Sequence, residues 1–407
     1  MQYEIISLDN GLRIIWSPSV SPVSYCGFAV NVGTRDENNN QWGLAHFVEH
    51  MLFKGTKKRK SWHILNRMEN VGGELNAYTT KEETFIYTIS LAEDIERSME
   101  LLSDLVFNSQ FPESEIEKEK EVVIDEINSY KDNPSELIYD DFENLLFKGN
   151  EIGHHILGEE ESLKHFNSST CHSFVRSYYV PENMVFFFFG NTPLKKITRL
   201  AHKHFLESKL STSSIKSRIS PEIVAPVKEK INKNLHQSHV IIGSRGYDYH
   251  NKNRLGLYLL NNIIGGPGMN SRLNISLREK NGLVYSIESG LTSYSDTGVF
   301  NIYFGADHDS VEKCLKLTYK ELKKLRETKL SSSQLQASIK QLKGQLGISS
   351  DQKENVALSM GKSFLHFNKY ETLQEVYRRL DLLTPEKLSE IANEIFGEEK
   401  LFLLIYN

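Results

Sequence analysis

Apolar and polar positions alternate on both sides of Asn10-Gly11, and the second arm reads Leu12-Arg13-Ile14-Ile15-Trp16. That is the pattern of a β-hairpin. A further strand is predicted over Tyr25–Val32. Apolar residues then recur at helical spacing over Trp42–Lys54. Phe85–Leu91 reads as a strand. Asp94–Phe107 reads as an amphipathic helix with Ile95, Met99, Leu102 and Leu105 on one side. Ser114 followed by Glu117 has the form of a capping box, predicting a helix from Ser114 to about Tyr130 that stops at Asp132-Asn133-Pro134. The run Met184–Gly190, with four consecutive Phe, is too short to span a bilayer and reads as a buried strand.

The order of elements then repeats. Val299–Phe304 (strand), Ser310–Leu325 (amphipathic helix) and Ser331–Leu346 (helix after a polar turn) follow the order of Phe85–Leu91, Asp94–Phe107 and Ser114–Tyr130. Between the two series lies a Ser-, Thr- and Pro-containing stretch with little periodicity. The expected organisation is therefore an α+β chain of two similar halves. Residues 1–208 form the first, 209–226 a linker, and 227–407 the second.

Composition narrows the classes. Of 407 residues, 39% are hydrophobic, 25% charged and 10% aromatic, the balance of a globular chain rather than a disordered one. A net charge of -5 gives no electrostatic case for nucleic acid or an anionic membrane as partner. Cys26, Cys171 and Cys314 are widely spaced with no Cys-x-x-Cys pair, which argues against a disulfide framework or a thiolate metal site and fits a reducing compartment. The N-terminus lacks a basic stretch followed by an apolar one, so no signal peptide is expected.

The chemistry concentrates in Gly43-Leu44-Ala45-His46-Phe47-Val48-Glu49-His50-Met51-Leu52-Phe53. On a helix, His46 and His50 lie one turn apart on one face with Glu49 beside them. Two imidazoles so placed can hold one Zn²⁺, and the adjacent carboxylate can take a proton from the attacking water. His-x-x-Glu-His is the inverted zincin signature. A third ligand is expected from the acidic segment 115–126, where Glu119 and Glu126 share nearly one face and Glu121 and Asp125 form another stripe. Spacing alone does not choose between Glu119 and Glu126. The other paired histidines, 154/155, 202/204 and 236/239, have no acidic partner motif and read as structural or solvent-facing.

The segment Gly43–Thr56, together with Gly73-Glu74-Leu75-Asn76-Ala77-Tyr78-Thr79 and Glu121-Val122-Val123-Ile124-Asp125-Glu126-Ile127, resembles the insulinase and pitrilysin superfamily of zinc metallopeptidases. The closer resemblance is to the half-length group that includes mitochondrial processing peptidase and its bacterial relatives. It implies two halves, each a mostly antiparallel sheet packed with helices, forming half of a clamshell-like dimer. It also implies that Glu126 is the third ligand, that Glu119 supports the ligands from behind, and that one Zn²⁺ is bound per subunit. Asn76, Ala77 and Tyr78 resemble the edge strand on which these enzymes pair the substrate backbone, a form of β-augmentation. Without the resemblance an ordinary strand end is the simpler reading.

In the second half, Gly265-Gly266-Pro267-Gly268-Met269-Asn270-Ser271-Arg272-Leu273 is similar to a segment common in the superfamily and lacks the Lys of a phosphate loop. Arg278 and Tyr285 match an Arg/Tyr pair whose implied role is to hold the substrate carbonyl and stabilise the oxyanion. The residues alone equally allow a surface pair of Arg278 with Glu279. Subunits of the superfamily that need an inactive partner tend to have lost the metal set or the Arg/Tyr set; this chain carries both, so the resemblance implies a homodimer, and the lack of a targeting segment favours a bacterial cytoplasm. In that dimer, each metal site faces the other subunit's Arg278 and Tyr285, and the activity is endopeptidase hydrolysis of extended peptides or unfolded segments. The competing expectations are a catalytic subunit that needs a separate partner, and a non-catalytic scaffold.

Overall fold

The computed structural model describes residues 2–206 and 217–407. Residues 209–216 of the expected linker lie outside the described residues. The described chain divides into two compact units, and neither is continuous in sequence. Unit 1 holds residues 1–128, 154–218 and 349–372, and unit 2 holds 129–153, 219–348 and 373–407.

Unit 1 is built on a six-stranded sheet. Its strands are β1 (Glu4–Ser7), β2 (Arg13–Pro18), β3 (Val23–Val30), β4 (Glu74–Thr79), β5 (Thr84–Leu91) and β6 (Met184–Gly190), in the order β1-β2-β6-β3-β5-β4. The hairpin forms as the pattern predicts, with Ser7 opposite Arg13 and Gly11 at a φ of +86° in its turn. The helices are α1 (Leu44–Leu52), α2 (Ser61–Glu69), α3 (Ile95–Asn108), α4 (Glu113–Lys131), α5 (Pro134–Leu146), α6 (Glu160–Leu163), α7 (Ser168–Tyr178) and α8 (Leu194–Phe205). Of these, α5 belongs to unit 2. Helix α4 starts one residue earlier than its sequence pattern suggests. The Pro112 carbonyl accepts from the Glu115 and Ile116 amides, each at 3.0 Å. Ser114 therefore lies inside the first turn, and Glu117 pairs with Lys120 (2.8 Å) instead of closing a capping box.

Unit 2 carries a five-stranded sheet of β7 (Lys228–Ile231), β8 (Ser238–Gly246), β9 (Val284–Ser293), β10 (Gly298–Ala306) and β11 (Phe402–Tyr406), ordered β7-β11-β8-β10-β9. The pairing repeats that of unit 1. In each sheet the last strand runs parallel to one neighbour (β6 with β2, β11 with β7) and antiparallel to the other (β6 with β3, β11 with β8). The remaining helices are α9 (Arg254–Gly265), α10 (Val311–Glu327), α11 (Ser332–Ser349), α12 (Lys353–Phe367), α13 (Leu373–Asp381) and α14 (Pro385–Ile395). A π-helical turn spans Asn274–Glu279. The two α+β halves expected from the repeat of elements are present, and apart from the extra strand β1 their sheets have the same strand order.

The units cross the sequence midpoint because one helix from each half is exchanged. Strand β6 is buried over its whole length, and its side chains alternate between two cores. Phe186 and Phe188 join Phe28 and Phe205 on one face. Phe187 and Phe189 join Ala357, Met360 and Phe364 of α12 on the other. A strand covered on both faces reads as an unbroken apolar run rather than an alternating one. Gly361 of α12 lies so close to the Phe187 ring that a Cβ there would come within 2.7 Å of Phe187 Cδ1. Unit 2 repeats the device. There, α5 supplies Ile138, Phe142 and Leu146 to a core with Phe402, Leu404 and Tyr406 of β11.

Polar anchors fix each exchanged helix. The buried Glu83 carboxylate accepts from His366 Nε2 (2.5 Å) and Lys362 Nζ (3.1 Å) on α12. In unit 2 the Tyr294 hydroxyl donates to Glu143 (2.8 Å) on α5. Burial alone would raise the Glu83 pKa, but the His366 hydrogen bond and the Lys362 charge override it and hold the group well below the ordinary carboxylate range. A folded-state pKa below the unfolded one contributes stability that is complete above the ordinary Glu value and is lost as pH falls through the folded one. Glu83→Gln should therefore destabilise the chain by about 3 kcal/mol at neutral pH. The difference from the parent should shrink as pH drops below the usual carboxylate range, as read by urea unfolding at several pH values.

Candidate metal site

Helix α1 carries the His-x-x-Glu-His set, and eight of its residues are buried (all but His50). Burying a helix start strands backbone N–H groups unless an acceptor reaches them. Gly43, the residue before the helix, has no side chain to cap with and sits at a φ of +92°. Its Cα faces Leu157 and Gly158 so closely that a Cβ would lie 2.5 Å from the Leu157 carbonyl oxygen. The acceptor is Glu37. Its carboxylate takes the Gly43 N–H at 2.8 Å and the Ala45 N–H at 2.7 Å. His154 Nε2 lies 3.0 Å from the same carboxylate, and the Trp42 indole stacks on the His154 ring. Lys81 Nζ donates to the His154 carbonyl. Glu37 is 1% exposed. Burial pushes its pKa well above the usual range. The two helix N–H groups oppose that, Asp36 adds to it, and Lys81 opposes it in turn.

His46 and His50 project from one face of α1 with ring centroids 4.5 Å apart. Helix α4 brings Glu126 to both. Its Oε2 is 3.7 Å from His46 Nε2 and 3.6 Å from His50 Nε2. Among the described residues, His46, His50 and Glu126 are the group whose donor atoms converge this way. Ligand atoms about 2.0–2.1 Å from a tetrahedral zinc are about 3.3–3.5 Å from one another, so this triad has the donors and nearly the spacing that zinc takes. Glu119, also on α4, accepts from His50 Nδ1 at 2.9 Å and from Lys54 Nζ at 2.5 Å. That contact fixes the His50 ring with its Nε2 turned toward Glu126. His46 Nδ1 has no comparable acceptor among the described residues. Glu126, with its side chain 42% exposed, leaves the group open on one side.

The electrostatics separate the members. Burial and the neighbouring His50 lower the His46 pKa to about 3, so His46 is neutral and its lone pair is available. Burial pushes His50 down, but the Glu119 hydrogen bond and the charges of Glu49, Glu126 and Glu119 override it and raise the pKa. Burial raises the Glu49 pKa, against the pull of a 2.7 Å hydrogen bond donated by Thr79 Oγ1.

Thr79 ends β4, the edge strand of its sheet. Asn76, Ala77 and Tyr78 lie on it opposite Tyr87, Ile86 and Phe85 of β5. No described strand pairs with the other side of β4. In unit 2, Arg278 lies in the last turn of the π-helical segment and Tyr285 lies on β9, again an edge strand. The Arg278 guanidinium sits 5.7 Å above the Tyr285 ring and 3.8 Å from Glu279. Tyr285 is 87% exposed.

Sequence reasoning missed Glu37 and Thr79. Thr79 was within the strand motif but carried no mark of a contact to Glu49. Glu37 lies outside any periodic segment, and only the fold brings it to the start of α1. His154, read as structural, is buried against Glu37.

A helical scaffold that pairs an inverted His-x-x-Glu-His helix with a glutamate of a second helix, beside an open sheet edge, defines a class of metallopeptidase. Residues 13–160 match the family model described as insulinase (peptidase family M16), and residues 166–342 match that of the peptidase M16 inactive domain. An uncharacterized zinc protease of Rickettsia bellii is 34% identical, over 97% of this chain and 95% of its own length. The uncharacterized zinc protease YmxG of Bacillus subtilis is 31% identical, over 98% and 96%. A protease from Helicobacter pylori superposes with a TM-score of 0.92 at 22% identity, covering 100% of this chain and 99% of that one. The chain belongs to the insulinase family, peptidase family M16. Among the described residues no helix is long and apolar enough to cross a membrane.

Removing the Glu37 carboxylate strands the Gly43 and Ala45 amides at once. Glu37→Ala should cost about 1–3 kcal/mol of stability and weaken zinc binding by about tenfold. Chelator competition on the folded variant checks the second effect, and Glu37→Gln, which keeps an acceptor oxygen, should recover most of it.

Proposed function

We propose that this chain is a zinc-dependent endopeptidase that hydrolyses extended peptides or unfolded protein segments. The observation that carries this reading is the joining of three elements at one point: the His46/His50/Glu126 triad, Glu49 beside it, and Thr79 linking Glu49 to the end of the open edge strand β4. His46, His50 and Glu126 would hold one Zn²⁺ per subunit. The ion supplies a Lewis acid that polarises the scissile carbonyl and acidifies water.

The chain's own groups do the rest. The open side of β4 (Asn76, Ala77, Tyr78) offers main-chain donors and acceptors to an extended backbone, which explains a preference for unfolded segments. Thr79 aims the Glu49 carboxylate. Glu49 takes a proton from the attacking water and gives it to the departing amine. Glu119 keeps His50 in the tautomer that presents Nε2. Arg278 and Tyr285, paired but exposed, suit the role of holding a carbonyl oxygen and its developing charge. In a homodimer they would serve the other subunit's site. Such an arrangement gives one chain the means to work without a separate subunit, as a bacterial processing-type peptidase in the cytoplasm.

Glu49→Gln should leave zinc stoichiometry unchanged and lower kcat on a quenched peptide by about 10²–10⁴-fold. Wild-type turnover in that variant would overturn the mechanism. Gel filtration of the pure chain, assayed fraction by fraction, should find activity at the dimer position. Activity that appears only on adding a second protein would favour the catalytic subunit of a heterodimer. Zinc bound without turnover under any condition would favour a scaffold.

A further inference from the structure

The glycine-rich segment of the second half ends in Ser271-Arg272, and the proposed peptidase chemistry makes no use of either residue. Arg272 is half-buried, yet among the described residues its guanidinium makes no hydrogen bond or ion pair. Burial depresses its pKa from the ordinary arginine value, with Glu321 opposing. A guanidinium carries five donors and is costly to remove from water without an acceptor.

Arg272 borders two adjoining cavities that lie wholly in unit 2. One, of about 440 Å³, is also lined by Lys280, Lys324, Lys329 and Glu321. The other, of about 260 Å³, is lined by Ser271, Asn270 and Gln341, and the two share Arg272, Leu330 and Gln334. The lone carboxylate of the larger cavity is already engaged, since Lys324 Nζ lies 2.6 Å from Glu321. Lys329 reaches outward to Glu386 at 3.3 Å. Lys280 makes no ion pair among the described residues. With Glu386 counted as the partner of Lys329, four cations against two acids leave an excess of two positive charges around one hollow, in a chain whose net charge is -5. A second mark points the same way. Ser271, 4% exposed, borders the smaller cavity, and its buried Oγ has no hydrogen-bond partner among the described residues.

We propose that this pair of cavities binds a small, multiply charged oxyanion, with Arg272 at the junction as its principal contact, the lysines at the rim, and the Ser271 hydroxyl donating from the second cavity. A planar guanidinium forks onto two oxygens of a phosphate or carboxylate, and flanking ammonium groups add point charge without fixed geometry. An excess of two charges suits a multiply charged anion better than the single carboxylate at a peptide's end. The site is independent of the peptidase reading, because none of its residues belongs to the metal set, the edge strand or the Arg278/Tyr285 pair.

The test is calorimetric titration of the full chain with pyrophosphate, and separately with citrate, at low and at moderate salt. The wild-type chain should bind, more weakly as salt rises. Arg272→Gln should lose about tenfold or more in affinity, the scale of one charge-assisted hydrogen bond. His46→Ala, run beside it, should bind as the parent does, which excludes chelation at the metal site. Binding of both anions identifies a general multivalent-anion site, and binding of pyrophosphate alone identifies phosphate as the recognised group. If Arg272→Gln fails to fold, the rim pair Lys280→Ala and Lys329→Ala, both exposed, should weaken binding instead. No binding of either anion by the parent, or affinity unchanged in the Arg272 or the rim variants, would overturn the proposal.

Discussion

Everything at the site depends on burying a helix that bears three ionisable side chains. In α1 the apolar residues pull the helix into the core of unit 1, and His46, Glu49 and His50 go with it. Each polar group then needs a partner that the helix cannot supply, because water is largely excluded. The fold provides partners from separate places. Glu37 meets the N-terminal amides, Thr79 meets Glu49, Glu119 meets His50, and Glu126 faces both imidazoles. Each group left over would cost about 1–3 kcal/mol, so the same partners that make the site also ease the burial of the helix.

The second constraint is that a sheet has two faces. In each unit one face is covered by helices of the same half, and the other by a helix exchanged from the opposite half. The exchanged helices, α5 and α12, occupy equivalent places in the two repeats. The two halves thus resemble each other in order yet do not close on themselves. The anchors differ in kind: a buried carboxylate holds α12 through His366 and Lys362, and a tyrosine hydroxyl holds α5 through Glu143. The apolar surface does the covering, and the polar contacts set the register.

The two sheets also end alike. In each, an edge strand lies beside residues with chemistry to do, β4 beside Glu49 and β9 beside Arg278. The first repeat kept the imidazoles. The second has no His-x-x-Glu-His and carries a basic hollow around Arg272.

Much of this was legible in the chain. Periodicity located β3, β5, β6, α3, α4, α10 and α11 to within a few residues, because each has one apolar face or is apolar throughout. The His-x-x-Glu-His spacing placed three groups together, since a helix fixes the separation of residues one turn apart. Resemblance singled out Glu126 over Glu119, and the structure gives the physical difference: Glu126 faces both Nε2 atoms, whereas Glu119 takes Nδ1 of His50 and Lys54. Helix α4 begins at Glu113, one residue ahead of the apparent cap at Ser114, so Ser114 and Glu117 both lie within the helix. Glu37, Thr79 and the exchange of α5 with α12 were decided only by tertiary structure. They join residues far apart in sequence, and no local pattern records which buried amide a distant carboxylate will meet or which sheet a given amphipathic helix will cover.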